Sequence, residues 1–319
     1  MNYVSVKDID SIDKWVKEAR ELKQSPFKHQ SLGTNKTIGL LFFNPSLRTR
    51  LSTQKAAQNL GMTTMVMNFD KEGWALEYED GIRMDQGKSE HIKEAAQVIS
   101  QFCDIIAIRA FASLEDKDKD KAEIVLNGFK KYASVPIVNM ESSVGHPLQA
   151  LADAITLDEQ MAALNGRKPK VVLSWAPHPK ALPHAVANSF VEMMQQQEAD
   201  FVITHPKGYE LDTEIVGKSK IEYDQEKAFK DADFIYTKNW SSFNDYGQVL
   251  NQDLSWTISK EKMALTNSAK FMHCLPVRRN VVVADAVLDS KNSLVIEQAN
   301  NRTFSAQLVL KKILENLNK

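Results

Sequence analysis

Apolar residues in this chain come in short unbroken runs, and between the runs they recur at helical spacing. Residues 37–43 form the clearest run, rich in aliphatic and aromatic side chains, as a strand buried on both faces requires. It stops at Asn44-Pro45, a turn pair. Ser46 stands where a helix cap is expected, and 48–60 reads as a helix with small and apolar residues on one side. Ahead of this strand, 16–22 lies in a charged amphipathic helix. Strands are predicted at 63–67, 105–109 and 135–139, and helices at 90–102 and 121–132. After His146-Pro147 a helix over 148–161 crosses between halves, and 165–169 is a short polar turn. A second alternating series follows, with strands at 170–175, 200–204, 234–237 and 270–273 and helices at 181–197 and 225–231. A long amphipathic helix covers 304–317.

Such alternation predicts parallel sheets covered on both faces. The expected fold class is therefore α/β, two doubly wound domains with ligand sites at the strand ends, facing a common cleft. Residues 70–89 break the pattern: they have no sustained period and contain Gly73, Gly81 and Gly87. About twenty irregular residues inside a compact domain are uncommon and usually functional. The alternating acids and lysines of 115–121 read as a solvated helix entrance.

Composition narrows the function classes. A length of 319 residues suits two domains, each with its own core. A net charge of −1 gives no field to recruit nucleic acid or an anionic membrane. No apolar run approaches the ~20 residues that span a bilayer, and no basic-then-apolar amino terminus marks a secretory signal. Two cysteines, Cys103 and Cys274, make neither a disulfide framework nor a metal-ligand spacing. The expectation is a cytoplasmic protein with no nucleic-acid or membrane partner.

The turn between the first strand and its helix carries the first candidate chemistry. Unpaired backbone N–H groups at the positive end of a helix dipole attract anions, and Ser46, Arg48, Thr49 and Arg50 surround them. From these residues alone two readings stand: a seat for a small phosphate-bearing molecule, or a capped helix with two solvated arginines. Other signals fail. Gly81-Ile-Arg-Met-Asp-Gln-Gly87-Lys88-Ser89 has five residues between its glycines, where a P-loop has four, and no strand leads into it. The absence of Gly-x-Gly-x-x-Gly argues against a dinucleotide cofactor. His178 and His184 are off the i, i+4 spacing of helical zinc ligands, so neither a metal nor another cofactor is implied.

Ser46-Leu47-Arg48-Thr49-Arg50 resembles the Ser-x-Arg-Thr-Arg signature of the aspartate and ornithine transcarbamylases, which bind carbamoyl phosphate there. Four more stretches match in order. Arg109 ends the run Ile105-Ile106-Ala107-Ile108-Arg109, where the family has a carbamoyl-phosphate arginine. His146-Pro147-Leu148-Gln149-Ala150-Leu151-Ala152-Asp153 is similar to the family's His-Pro-x-Gln-x-x-x-Asp, whose His and Gln hold the carbamoyl group. His273-Cys274-Leu275-Pro276 is similar to its His-Cys-Leu-Pro, and Arg302 to an arginine of the final helix that touches the carbamoyl group. Alone, His146 would be read as structural and Cys274 as a small buried hydrophobe.

Departures identify the branch. Ornithine transcarbamylases hold the free α-amino group with an Asp-x-x-x-Ser-Met-Gly loop; this chain has Asp233-Phe-Ile-Tyr-Thr-Lys238-Asn-Trp240-Ser-Ser-Phe there. That suits a substrate whose α-nitrogen is acylated. Trp74 resembles a tryptophan that N-acylornithine transcarbamylases place in a neighbouring subunit's active site. The whole chain is similar to the N-succinylornithine enzymes, with the N-acetylornithine enzymes next. Position 90 conflicts: Glu90 is the acetyl-enzyme residue type, where succinyl enzymes carry proline. As a bare helix-end acid, Glu90 would contribute roughly 0.3–1 kcal/mol through the dipole.

The resemblance implies carbamoyl transfer to the δ-amine of an N2-acylornithine in arginine biosynthesis, by a homotrimer with sites in an interdomain cleft and at the subunit interface. It implies carbamoyl-phosphate contacts at Ser46, Leu47, Arg48, Thr49, Trp74, Arg109, His146, Gln149, Cys274, Leu275 and Arg302. It implies acylornithine contacts at Glu90, Glu141, His178, Lys238, Cys274 and Arg278, with Arg48, Thr49, Arg109, His146 and Cys274 at the reacting centre. The expected domains are 1–147, with a helix of about 299–319 packed back on it, and 148–298. The alternatives are ordinary ornithine transcarbamylase and a non-catalytic anion-binding α/β protein.

Overall fold

Strand formation follows the apolar runs. A computed structural model describes residues 1–69 and 71–317; Asp70, expected at the head of the irregular stretch, and residues 318–319, expected at the end of the last helix, lie outside the described residues. The chain divides into two compact units, one of residues 1–113, 117–148 and 302 onward, the other of 114–116 and 149–301.

The first unit opens with α1 (Ile12–Gln24), which buries Ile12, Trp15, Val16, Ala19 and Leu22 along one stripe. Then come β1 (Thr37–Phe42), α2 (Arg48–Asn59), β2 (Thr63–Asn68), the short β3 (Leu76–Glu77) and β4 (Glu90–His91), and α3 (Ile92–Phe102). β5 (Ile105–Arg109), α4 (Lys117–Lys121), α5 (Ile124–Tyr132), β6 (Ile137–Glu141) and the start of α6 (Pro147–Asp158) follow. The sheet is wholly parallel in the order β2-β1-β5-β6. β1 and β5 are buried almost throughout, and α3 and α5 pack on one face through Ile92, Ala95, Ala96, Leu126 and Phe129. At the end of α2, Gly61 takes φ +79°, and a Cβ there would lie 2.1 Å from the Gln30 carbonyl oxygen. A glycine is therefore required at this helix stop.

The second unit carries the rest of α6, β7 (Lys170–Trp175), α7 (Ala185–Met194), β8 (Asp200–Thr204), α8 (Thr213–Val216), β9 (Lys220–Glu222), α9 (Gln225–Phe229), β10 (Phe234–Lys238), α10 (Lys260–Ala264), β11 (Lys270–Met272) and α11 (Asp285–Leu288). It ends in the first part of α12 (Val295–Leu317). Its parallel sheet has the order β11-β10-β7-β8-β9, with Trp175, Phe190, Tyr209, Tyr236 and Trp240 at the centre of one apolar cluster.

In both sheets the strand order reverses at a point where ligands of open α/β folds are bound, outside the carboxyl ends of the strands. In the first unit that point lies between β1 and β5, and in the second between β7 and β10. The α/β expectation is met, with shifted boundaries. α7 starts only after Pro183, whose ring restricts the residue before it. Residues 117–121 form a helical turn of their own, and β6 runs two residues beyond Asn139.

Candidate active site

The first switch point gathers a set of cationic and hydroxyl groups. Ser46 caps α2 from one residue further back than a standard N-cap: Leu47 is the capping position, and the Thr49 N–H donates to Ser46 Oγ at 3.2 Å. The ends of β1 and β5 are tied together, Phe43 N–H donating to the Arg109 carbonyl at 2.9 Å and Phe111 N–H to Asn44 Oδ1 at 2.6 Å. This holds Arg109 beside the turn. Thr49 is buried, and its Oγ1 accepts from two guanidinium groups, Arg302 Nη2 at 2.5 Å and Arg109 Nη1 at 3.3 Å. His146 Nε2 lies 3.5 Å from Arg302 Nη2 and 3.3 Å from Glu141 Oε2, and Arg109 Nη1 is also paired with Glu141 Oε2. Three basic side chains from three elements therefore converge on the amino terminus of a helix, an arrangement that binds a compact anion. Arg50 is not one of them. It lies over the Phe42 ring and donates to Asn68 Oδ1, so it braces the turn from behind.

The second unit builds a separate polar network. Asp153, fully buried, accepts from Gln149 Nε2 and from Gln298 Nε2, each at 2.7 Å, while Gln298 Oε1 accepts the His273 N–H at 2.9 Å. Because the Gln149 amide nitrogen is committed to a carboxylate, its Oε1 is left as an acceptor. Leu275 takes φ +56°, an uncommon conformation for this residue, and its N–H donates to His273 Nδ1 at 2.9 Å. Burial pushes the Tyr236 phenol well up, Asp153 and Cys274 beside it adding to the effect, so the hydroxyl stays protonated. At the second switch point Arg278 Nε donates to His178 Nε2 at 3.1 Å. Burial lowers the His178 pKa and the charges of Arg278 and Lys238 lower it further, against an opposing hydrogen bond to the Lys180 carbonyl. His178 is thus a neutral acceptor among cations, a patch suited to a carboxylate.

Trp74 and Glu90 belong to the first unit, away from both networks in sequence. The Trp74 indole N–H donates to Glu90 Oε2 at 2.8 Å, and Trp74 remains 58% exposed. His91, not Glu90, caps α3, its Nδ1 accepting the Lys93 N–H at 3.1 Å. Glu90 stands one residue before that cap, and its carboxylate also accepts the Trp74 indole N–H. The surrounding stretch is fastened at Asp80, which meets Lys131 at 2.8 Å, Tyr132 at 2.8 Å and Lys93 at 3.0 Å.

Residues 2–159 match the carbamoyl-P binding domain of the aspartate/ornithine carbamoyltransferases, and residues 183–313 match the Asp/Orn binding domain. The chain belongs to this family. It is 51% identical over 317 residues to the N-succinylornithine carbamoyltransferase of Bacteroides thetaiotaomicron, with 99% of each chain covered. It is 38% identical over 305 residues to the N-acetylornithine carbamoyltransferase of Xanthomonas axonopodis pv. citri, with 89% of each covered. A solved acetylornithine transcarbamylase complexed with acetylcitrulline superposes with a TM-score of 0.92 at 34% identity, covering 98% of this chain and 99% of the other. So does a variant of that enzyme with a glutamate changed to proline, complexed with carbamyl phosphate and N-succinyl-L-norvaline. These relatives place the chain in the N-acylornithine branch of the carbamoyltransferases.

Within this carbamoyltransferase, Ser46, Thr49, Arg109, His146 and Arg302 meet at the amino terminus of α2, the candidate anion seat of the first unit. Gln149, Cys274 and Leu275 share the second unit's network, and His178, Lys238 and Arg278 its cationic patch. Glu141, which the resemblance assigns to the amine substrate, pairs with Arg109 and lies 3.3 Å from His146 Nε2. Asp153, Gln298 and Tyr236 were not singled out from sequence for a site role. The signal for Asp153 was present in the octet that ends with it.

Proposed function

We propose that this carbamoyltransferase moves the carbamoyl group of carbamoyl phosphate to the δ-amine of an N2-acylornithine, giving an N-acylcitrulline and phosphate. The observation that carries the reading is the Thr49 hydroxyl held between Arg109 and Arg302 beside His146, at the amino terminus of α2. Ser46, the Leu47 N–H and Arg48 take the phosphate. Thr49, Arg109, His146 and Arg302 polarise the carbonyl, each preorganised donor lowering the barrier by roughly 3–4 kcal/mol. Gln149 Oε1 accepts from the carbamoyl NH₂. The neutral δ-amine attacks the carbonyl carbon, the C–N bond forms and the C–O bond to phosphate breaks, the departing phosphate taking the proton that the attacking nitrogen sheds. The amine must first lose a proton, since its free pKa is about 10. His178, Lys238 and Arg278 hold the amino acid's carboxylate, and Cys274 and Leu275 line the approach of the amine.

The acyl group is acetyl in this reading. Overall identity favours the succinyl relatives, but Glu90 sets a carboxylate against a succinyl carboxylate, and like-charge juxtaposition rejects a ligand effectively. Several glutamate variants of the acetyl enzyme have been solved with N-succinyl-L-norvaline, which supports a role for such a glutamate in choosing the acyl group. The active form is a cytoplasmic homotrimer in which Trp74 serves the adjacent subunit. The exposed apolar side chains Met67, Trp74, Val98 and Phe102, which line one cavity of about 260 Å³, support burial against another copy. No helix among the described residues is long and apolar enough to cross a membrane.

The test is detection of a ureido product from carbamoyl phosphate with N-acetylornithine, N-succinylornithine and ornithine. Turnover of the acylated amines alone is expected. Turnover of free ornithine would return ordinary ornithine transcarbamylase, and no product with any amine would leave a non-catalytic anion-binding protein.

A further inference from the structure

Glu141 is an odd member of a seat built for an anion. β6 carries one extra residue against β5: Ile108 faces Asn139, but Arg109 faces Glu141, so Met140 is bulged out of the pairing. Bulges at strand ends re-aim side chains, and this one brings Glu141 level with Arg109. The register is locked by the Ala110 N–H, which donates to the Glu141 carbonyl at 2.8 Å. The Glu141 residue is 7% exposed. Its Oε2 takes Arg109 Nη1, the same atom that reaches Thr49 Oγ1, and lies 3.3 Å from His146 Nε2.

A buried carboxylate and an anionic acyl phosphate whose carbonyl oxygen approaches Arg109 compete for one guanidinium nitrogen and repel each other. An unpaired buried guanidinium, on the other hand, is itself costly. We propose that Glu141 is the built-in counter-ion of the seat: it balances Arg109 before carbamoyl phosphate arrives, and carbamoyl phosphate binds by displacing its carboxylate from Arg109. This rests on the reading of the seat as a carbamoyl-phosphate site. Once displaced, the carboxylate is an acceptor for the cationic δ-ammonium, so filling the seat prepares for the amine.

The test is titration calorimetry with carbamoyl phosphate on the wild type, Glu141→Gln, Glu141→Asp and Arg48→Ala, with thermal melts as a check of folding. Glu141→Gln should bind carbamoyl phosphate at least about tenfold more tightly, because the ligand no longer competes with a resident charge. Its kcat with N-acetylornithine should fall. Glu141→Asp, one methylene shorter, should fall between Glu141→Gln and the wild type in affinity, and it decides the matter if Glu141→Gln does not fold. A purely structural role would weaken binding in both variants, and unchanged or weaker affinity in both overturns the proposal. If the wild type binds carbamoyl phosphate and Arg48→Ala abolishes that binding, such a result removes only the counter-ion role. If the wild type does not bind it at all, the seat reading falls as well.

Discussion

Replacing Glu90 separates a charge effect from a positioning effect, because its carboxylate has two roles. It accepts the Trp74 indole N–H at 2.8 Å, and in the proposed reading it repels the free carboxylate of a succinyl group. Two like charges 4–6 Å apart at an effective dielectric of about 20 repel by roughly 3–4 kcal/mol. Glu90 is only half-buried and Trp74 is exposed, so solvent screening leaves about 1–3 kcal/mol, or roughly 5- to 150-fold in relative kcat/KM. Glu90→Gln keeps an amide oxygen that can accept from the indole and deletes the charge. Glu90→Pro deletes both. The assay is kcat/KM for N-acetylornithine and N-succinylornithine with the three chains. The wild type should prefer the acetyl substrate, Glu90→Gln should lose most of that preference, and Glu90→Pro should reverse it, with KM for carbamoyl phosphate nearly unchanged. If all three prefer the same acyl group by the same factor, the charge argument is refuted and Glu90 only steadies Trp74.

Three other outcomes are expected. Arg48→Ala should cut turnover by at least ~10²-fold, the size of losing a preorganised donor, and near wild-type kinetics would remove the α2 turn from the chemistry. Mixing Trp74→Ala chains with Arg109→Ala chains should restore part of the activity through hybrid sites, whereas active monomers in sedimentation would end the shared-site reading. Burial lowers the pKa of His205 below its usual 6.5, so the folded state favours the neutral ring. Its contribution to stability is present above about pH 6.5 and is lost as pH falls through the lowered folded value. Tm should therefore drop between pH 7.5 and 5.5, and His205→Asn should flatten that drop in calorimetry; an unchanged slope would assign the acid sensitivity elsewhere.

The parts legible in the sequence were those with strong local patterns. β1, β5, β7, β8 and β10 are continuous apolar runs, and their positions follow from burial on both faces. Elements of three to five residues, such as β9, α8, α10 and α11, are too short to show a period. The last two residues of β6, Met140 and Glu141, lie past the predicted strand end at Asn139, and only the sheet register reveals that Glu141 faces Arg109. The motif residues of the seat were visible as local strings. The contacts that tune them, Glu141 on Arg109 and Trp74 on Glu90, join residues 32 and 16 positions apart and depend on tertiary placement. The helix α2 begins at Arg48 as the sequence predicts, while the cap expected at Ser46 falls one residue early, Leu47 holding the N-cap position.

The first unit leaves the chain at Leu148 and resumes only at Arg302. Its late segment supplies Arg302 to Thr49, Gln307 to Asn59 at 2.8 Å, and Lys311 to Glu18 at 2.6 Å. On the ribosome, then, residues 149–301 are synthesised in full before the first unit can be completed. A nascent chain can fold that contiguous insert while the amino-terminal unit still lacks an arginine of its anion seat. In the proposed reading, the ability to hold carbamoyl phosphate is therefore acquired only after residue 302 and its helix have been made, and a chain cut short near residue 300 would lose it together with the packing of its own amino terminus.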